Sequence, residues 1–210
     1  MKIVTYNIHK GMDSNDKFTL NKISKYLKEL DCDVICLQEV LYTQFAKLKL
    51  ELKMDGVFAA NVNKANMMYG ICTFSKTEID THDHVLLSSK KEQRGFLYTN
   101  IFSRNGKFNV INTHLGLDLE ERKQQLSEII DYTNSLVGRK IICGDFNEKN
   151  ISINTFYDMA IFMNEYDLCT FKETNSRIDY VFVDKMINIY SYEIDLINYS
   201  DHYPVIGQIR

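Results

Sequence analysis

Residues Ile141 to Asn147 read IICGDFN, which sets a carboxylate and a carboxamide two positions apart behind a short apolar run. The period-2 geometry of a strand sends Asp145 and Asn147 to the same side of its end, and Gly144 permits a tight exit. A carboxylate and a carboxamide delivered together at the mouth of a buried strand suit the holding of a water beside a metal-bound phosphate. The competing account is a turn aspartate that caps a loop, and this stretch alone does not separate the two.

Other strand-like segments end in matching groups: Asn7 after KIVTY, Glu39 after VICLQ and His114 after KFNVINT. Asp179 lies in the apolar run RIDYVFV, where an ionised carboxylate is costly unless paired. His202 in SDHYPV is the partner to choose, because an Asp–His pair fixes the tautomer and raises the basicity of the imidazole, making it a general base toward water. The ordinary alternatives are a satisfied turn histidine for His202 and a helix-start glutamate for Glu39. If the strand ends converge, one cleft holds Asn7, Glu39, His114, Asp145, Asn147, Asp179, Asp201 and His202. Oxygen donors with imidazoles nearby and no thiolate select Mg²⁺ or Mn²⁺ over zinc, with Glu39 the natural principal ligand.

Positioning those ends requires strands joined by helices. Residues 2 to 8 read as a half-buried strand, and Leu20, Ile23, Leu27 and Leu30 fall at helical spacing. A second strand covers Val34 to Leu37, followed by a helical pattern from about Tyr42 to Leu52. Strand, helix, strand within forty residues is a crossover unit. From Val57 to about Phe102 the pattern predicts strands Val57 to Val62, Met67 to Phe74, Val85 to Leu87 and Gly95 to Phe102, an antiparallel portion of sheet. Residues 107 to 113 are strand-like, and Asp118 and Glu121 have capping-box spacing ahead of a helix ending near Gly138. After the central stretch come a short helix around Phe156 to Met163, a strand Ile178 to Val183, a strand-like run Ile189 to Ile197 and a final strand Val205 to Ile209.

YNIHKG at Tyr6 is echoed by INTHLG at Ile111, and ICLQE at Ile35 by ICGD at Ile142. Two matches in the same order at nearly one offset argue for two similar layers packed face to face. The predicted fold is therefore α/β (α+β): a four-layer sandwich of two mixed sheets flanked by helices, formed as a single domain over 1–210.

Composition bounds the function. The 45% hydrophobic and 25% charged residues are ordinary for a globular chain, and a formal net charge of −3 gives no global attraction to polyanions. Nucleic acid is thus a permitted partner that the charge does not indicate. The cations a phosphate track would use are Lys10, Lys90, Lys91, Arg94, Arg122 and Lys123, and scattered cations are usually a solvated face. The five cysteines are odd in number and mostly sit in apolar runs, as reduced core thiols do. No apolar segment approaches bilayer length and the N-terminus lacks an apolar signal region, so the expectation is a cytoplasmic monomer with no membrane span.

The motifs YNIHKG, LQEV, NTHLG, GDFN, RIDYVFV and SDHYPV, in this order from Asn7 to Pro204, resemble the endonuclease/exonuclease/phosphatase superfamily with the deoxyribonuclease I-like fold. The resemblance implies that Glu39 binds the metal with Asn7 close by and Asp201 beside it. It also implies that Asp145 and Asn147 align water and phosphate, that Asp179 orients His202, and that His114 stabilises or protonates the phosphoryl oxygens. Arg94, Asn147 and His114 form the expected substrate contacts. Abasic-site members usually carry tyrosine where His114 stands and use tryptophan for damaged DNA, and this chain has no Trp. NTHLG followed by LDLEERKQQL looks more like the bacterial metal-dependent phosphodiesterase and tyrosyl-DNA phosphodiesterase-like branches. The family's acidic partner of the His114 equivalent has no match, because NMMYGICTF offers Tyr69 and no carboxylate. Three readings follow: a Mg²⁺-dependent phosphodiester or phosphomonoester hydrolase, a DNA or RNA nuclease, and an inactive phosphate-ligand-binding module of the same fold.

Overall fold

The computed structural model describes residues 1–64, 67–103 and 106–210. Its first half contains β1 (Lys2–Asn7), α1 (Leu20–Leu30), β2 (Val34–Leu41), α2 (Tyr42–Leu52), β3 (Asp55–Lys64), β4 (Met67–Ser75), β5 (Ile79–Leu86) and β6 (Gly95–Ser103). The second half contains β7 (Gly106–His114), α3 (Leu119–Ser135), β8 (Arg139–Asp145), β9 (Phe156–Asp158), α4 (Met159–Phe162), β10 (Asp179–Asp184), β11 (Ile189–Ile194) and β12 (Val205–Ile209).

Two sheets form, ordered β11-β12-β1-β2-β4-β3 and β5-β6-β7-β8-β10-β9. Each is mixed. The central pairs β1/β2 and β7/β8 run parallel, and every other neighbouring pair is antiparallel. The sheets therefore repeat one pattern of strand directions, with α1 and α3 as the crossovers that a parallel pair needs. This is the internal echo of the sequence in three dimensions.

Burial explains why the strands read as continuous apolar runs. Ile3, Val34, Cys36, Val110, Ile141, Cys143, Val181 and Val205 join one core cluster fed by both sheets. Their alternating neighbours Val4, Tyr6, Ile35 and Leu37 pack with Ile23 and Leu27 of α1, and Ile111, Ile142 and Tyr180 pack with Ile129 of α3. A strand covered on both faces has no polar alternation to show. Toward the strand ends the layer between the sheets turns polar. There Gln38 Nε2 donates to Asn112 Oδ1 (2.7 Å) and Thr5 Oγ1 (3.0 Å), while Asn112 Nδ2 donates to the Cys72 carbonyl (2.9 Å).

Several elements differ from the sequence expectation. The helix expected over Phe156–Met163 is only Met159–Phe162, because Phe156–Asp158 pairs with β10 as an edge strand. The strand expected at Val85–Leu87 is the end of the longer Ile79–Leu86, whose run IDTHDHVL is polar because it forms a largely exposed edge. The strands from Val57 to Phe102 do not share one sheet: β3 and β4 join β2, whereas β5 and β6 join β7. Helix α3 starts as expected, with Asp118 accepting from the Glu121 backbone N–H, and ends at Ser135. Among the described residues, no helix is long and apolar enough to cross a membrane.

Candidate active site

The inward-facing positions of β1, β7, β8 and β10 run Ile3-Thr5-Asn7, Val110-Asn112-His114, Ile141-Cys143-Asp145 and Asp179-Val181-Val183, so each strand delivers one polar side chain at the same end of the sandwich. Register does the rest. Asp145 is the lateral partner of His114 on one side and of Asp179 on the other, and side chains so placed lie within reach of each other.

Asp145 is the hub. Its Oδ1 accepts from the Asn147 backbone N–H (2.9 Å) and its Oδ2 from Asn7 Nδ2 (3.0 Å). The same Oδ2 is 3.6 Å from Nε2 of His114 and 3.6 Å from Nε2 of His202. His202 Nδ1 is 2.9 Å from Asp179 Oδ2, the pairing expected from the sequence, and both residues are buried. Asn7 Nδ2 also approaches Glu39 Oε1 at 3.4 Å. Asn147 spends its carboxamide N–H on the Leu115 carbonyl (2.9 Å). Asp201 stands on the rim, with Oδ1 3.6 Å from His9 Nδ1 and 3.0 Å from Ser200 Oγ.

The backbone is bent to present these groups. His9, Lys10, Glu39 and Asn147 have φ of 44°, 52°, 56° and 51°, a left-handed region that is costly for His, Lys and Glu. Glu39 sits in the bulge where β2 loses register with β4, and the bulge re-aims its side chain. Gly144 is required as glycine: its φ is +140°, and a Cβ there would lie 2.0 Å from the Thr113 carbonyl oxygen.

Charge in the site is unbalanced toward the negative. Burial and then the Asp179 carboxylate push the Asp145 carboxyl up to about 7. Burial alone would lower the His202 imidazole, but Asp179 and Asp145 outweigh it and raise the group to about 10. His114 moves the other way, well below the usual histidine range, through burial and the Arg94 guanidinium. Asp145, Asp179 and His202 offer ligand atoms within 4.8 Å of one another, although the Asp179–His202 hydrogen bond already occupies one imidazole nitrogen. Glu39 and Asp145, both near Asn7 Nδ2, bring carboxylate oxygen donors to one corner. That donor set fits a hard divalent cation.

Not every expected residue meets the cleft. Arg94 is buried behind His114, with Nη1 3.2 Å from His114 Nδ1 and 2.8 Å from Glu92 Oε1. Tyr69 lies beside Glu39, and burial followed by that carboxylate raises its hydroxyl pKa; Asn66 of the same stretch lies outside the described residues. The expected phosphate track is largely neutralised. Lys90 meets Asp118 (3.0 Å), Arg122 meets Glu148 (2.5 Å), Lys123 meets Glu120 (2.7 Å) and Lys10 approaches Glu39 (3.9 Å). Beside Lys10 opens a cavity of about 740 Å³ lined by Asn61, Asn63, Lys64, Tyr69 and Gln93 among others.

The sequence reading missed supporting residues. Ser200 Oγ donates to the Asn7 carbonyl (2.8 Å) and ties the last loop to β1. Thr170 Oγ1 accepts from the Asp179 N–H (3.1 Å), and the Phe171 ring packs on His202 with centroids 4.7 Å apart. Ser and Thr in polar loops carry no periodic signal, so these contacts were not readable from spacing.

Related proteins share this frame. The Escherichia coli K12 protein YbhP is 27% identical over 168 residues, covering 70% of this chain and 66% of YbhP, just under two thirds of that relative's length. The whole chain superposes on a solved endonuclease/exonuclease/phosphatase from Beutenbergia cavernae DSM 12333 with a TM-score of 0.86 at 18% identity, covering 71% of that chain. It also superposes on the Bacteroides thetaiotaomicron VPI-5482 mannosyl-6-phosphatase Bt3783 with a TM-score of 0.79 at 17% identity, covering 100% of this chain and 99% of that one. Both solved structures share the fold. The family model described as Endonuclease/Exonuclease/phosphatase family matches residues 4–202, nearly the entire sequence. With two mixed sheets and polar groups gathered at one end, the chain belongs to the endonuclease/exonuclease/phosphatase family.

Proposed function

We propose that this chain is a divalent-cation-dependent hydrolase of phosphate diesters, with monoesters as the second substrate class. The observation that carries the reading is the buried Asp179–His202 hydrogen bond of 2.9 Å, with His202 Nε2 turned toward Asp145 and across from His114. Asp179 holds the proton of Nδ1 and so directs Nε2 into the cleft. Asp145 and Asn147 orient the attacking water. Once the His202 imidazole has shed its own proton, Nε2 takes the water's proton as the new P–O bond forms, the ester P–O bond opposite breaks, and the leaving alkoxide is protonated by solvent, so activity rises with pH. Glu39 and Asn7 would hold Mg²⁺ or Mn²⁺, with Asp201 beside them. When bound, the cation supplies positive charge against the phosphoryl oxygens and the surplus carboxylates.

The monoester reading is kept because one solved neighbour is named a mannosyl-6-phosphatase. The nuclease reading is weaker, since four of the six cations it would use, Lys90, Arg94, Arg122 and Lys123, are paired with Asp118, Glu92, Glu148 and Glu120. A panel comparing bis(p-nitrophenyl) phosphate, p-nitrophenyl phosphate, single- and double-stranded DNA, RNA, phospholipids and inositol phosphates, each with Mg²⁺, Mn²⁺ or chelator, tests the proposal. Chelator-sensitive diester cleavage is expected. No cation-dependent hydrolysis of any ester would overturn it in favour of a binding module.

A further inference from the structure

The two histidines that face Asp145 are backed by opposite charges. Behind His202 stands the Asp179 carboxylate, whereas behind His114 stands the Arg94 guanidinium, its Nη1 3.2 Å from His114 Nδ1. A guanidinium has donors only and stays charged. The His114 nitrogen facing it must therefore offer a lone pair, and the one remaining imidazole proton must sit on Nε2.

We infer that Arg94 is a positioning residue that fixes His114 as a neutral imidazole with its proton on Nε2, so that His114 serves the reaction as a hydrogen-bond donor and not as an acid. The catalytic part of this inference rests on the hydrolase reading above; the tautomer does not.

The surroundings hold the arrangement in place. Arg94 and His114 are 7% and 4% exposed, so an imidazolium here would set two N–H groups head to head out of water, with no solvent to relieve them. Glu92 Oε1, 2.8 Å from the same Nη1, anchors the guanidinium, and the Arg94 backbone N–H donates to Ser89 Oγ (2.9 Å). Arg94 immediately precedes Gly95, the lateral partner of His114 in the β6/β7 ladder, which brings the two side chains together. On the open side, His114 Nε2 is 3.6 Å from Asp145 Oδ2, too far for a hydrogen bond, and the same Oδ2 is 3.6 Å from His202 Nε2, so the His114 N–H stands beside the carboxylate that both imidazoles approach. A donor aimed there meets a phosphoryl oxygen as charge develops on it. The arrangement also answers the missing acidic partner: this histidine is held by a base-side donor in place of a carboxylate.

The test is ¹⁵N NMR of the full chain with labelled histidine, the His114 signals being assigned through a His114→Gln variant. At neutral pH without substrate, His114 should show an unprotonated Nδ1 and a protonated Nε2. A protonated Nδ1, or an imidazolium, overturns the inference outright. Arg94→Met should give a mixture of tautomers or an imidazolium and lower kcat on the order of 10²-fold, as removal of one transition-state donor does. Arg94→Lys, which keeps a charged donor, should restore the single tautomer and part of the rate. An unchanged tautomer in Arg94→Met would show that something other than Arg94 fixes it. If Arg94→Met does not fold, the wild-type spectrum decides alone. A clean Nε2–H tautomer in a protein that cleaves no phosphate ester would sink the hydrolase reading and leave this one standing.

Discussion

His202 and His114 show that residue type does not set role; the group behind each ring does. A carboxylate behind His202 raises it to about 10, and a guanidinium behind His114 drives it down. If the hydrogen-bonded Asp179–His202 pair acts as a unit in the proposed hydrolysis, His202→Ala and Asp179→Asn should each cost roughly 10²-fold or more in kcat/KM. The double variant should then be little worse than either single one. Fully additive losses at saturating Mg²⁺ would assign Asp179 to another task. Glu39 is a separate matter, because its carboxylate approaches Asn7 and Lys10 but belongs to no close ligand trio among the described residues. Glu39→Gln keeps the shape and removes a charge, so Mg²⁺ should bind at least roughly 10-fold more weakly with the fold unchanged. Calorimetric titration reads this directly, and unchanged affinity would remove Glu39 from the cation site.

At the scale of elements, the site depends on strand register and on a few bent backbones. Asp145 is the last residue of β8, and Gly144 lets that strand lie against Thr113 of β7 at a distance no side chain tolerates. Gly144→Ala should therefore destabilise the chain by about 2–4 kcal/mol, from combined overpacking and backbone strain. A urea unfolding midpoint equal to wild type would show that the two strands can separate without cost. Asn112 illustrates a division of labour between the repeated halves. Its counterpart Asn7 serves the cleft, whereas Asn112 is buried and ties the two sheets through Gln38 and the Leu37 and Cys72 carbonyls.

For the whole molecule, the charge gathered at one end of the sandwich couples stability to pH. His202 has a folded pKa raised from 6.5 to about 10, so the native state binds the extra proton more tightly than the unfolded chain does. Its contribution is fully present below pH 6.5 and is lost as pH rises through about 10. Asp145, raised to about 7, acts in the same direction at lower pH: the native state retains a proton that the unfolded chain has shed, so stability falls as pH rises from 3.8 toward 7. His114, lowered well below 6.5, opposes them only up to that pH, so above it the chelated protein should lose thermal stability toward alkaline pH, and added Mg²⁺ should flatten the decline. Calorimetric Tm values across pH, with and without Mg²⁺, check this; a Tm that climbs over this range would contradict it. With a net charge of −3 and Lys90, Arg122 and Lys123 of the candidate track paired with carboxylates, the molecule should bind duplex DNA weakly and with steep salt dependence. Tight binding that survives physiological salt would revive the nuclease reading.

Hydrophobic periodicity and motif order sufficed for the doubled strand–helix–strand plan, for Asp145 at a strand mouth, and for the Asp179–His202 pair, because each depends on local spacing or on the cost of one buried charge. Strand alternation did not place Asn147, which lies past the end of β8 in a left-handed turn whose N–H Asp145 accepts. Tertiary structure alone decided the rest. The edge strands β5 and β9 carry little apolar signal because their partners cover only one side, and the division of β3 to β6 between two sheets is set by pairing across long stretches of chain. Arg94 shows the same limit at a single residue. Its sequence neighbours, Gln93 and Gly95, give no sign that it stands behind His114, twenty positions away, because that contact exists only once β6 and β7 pair.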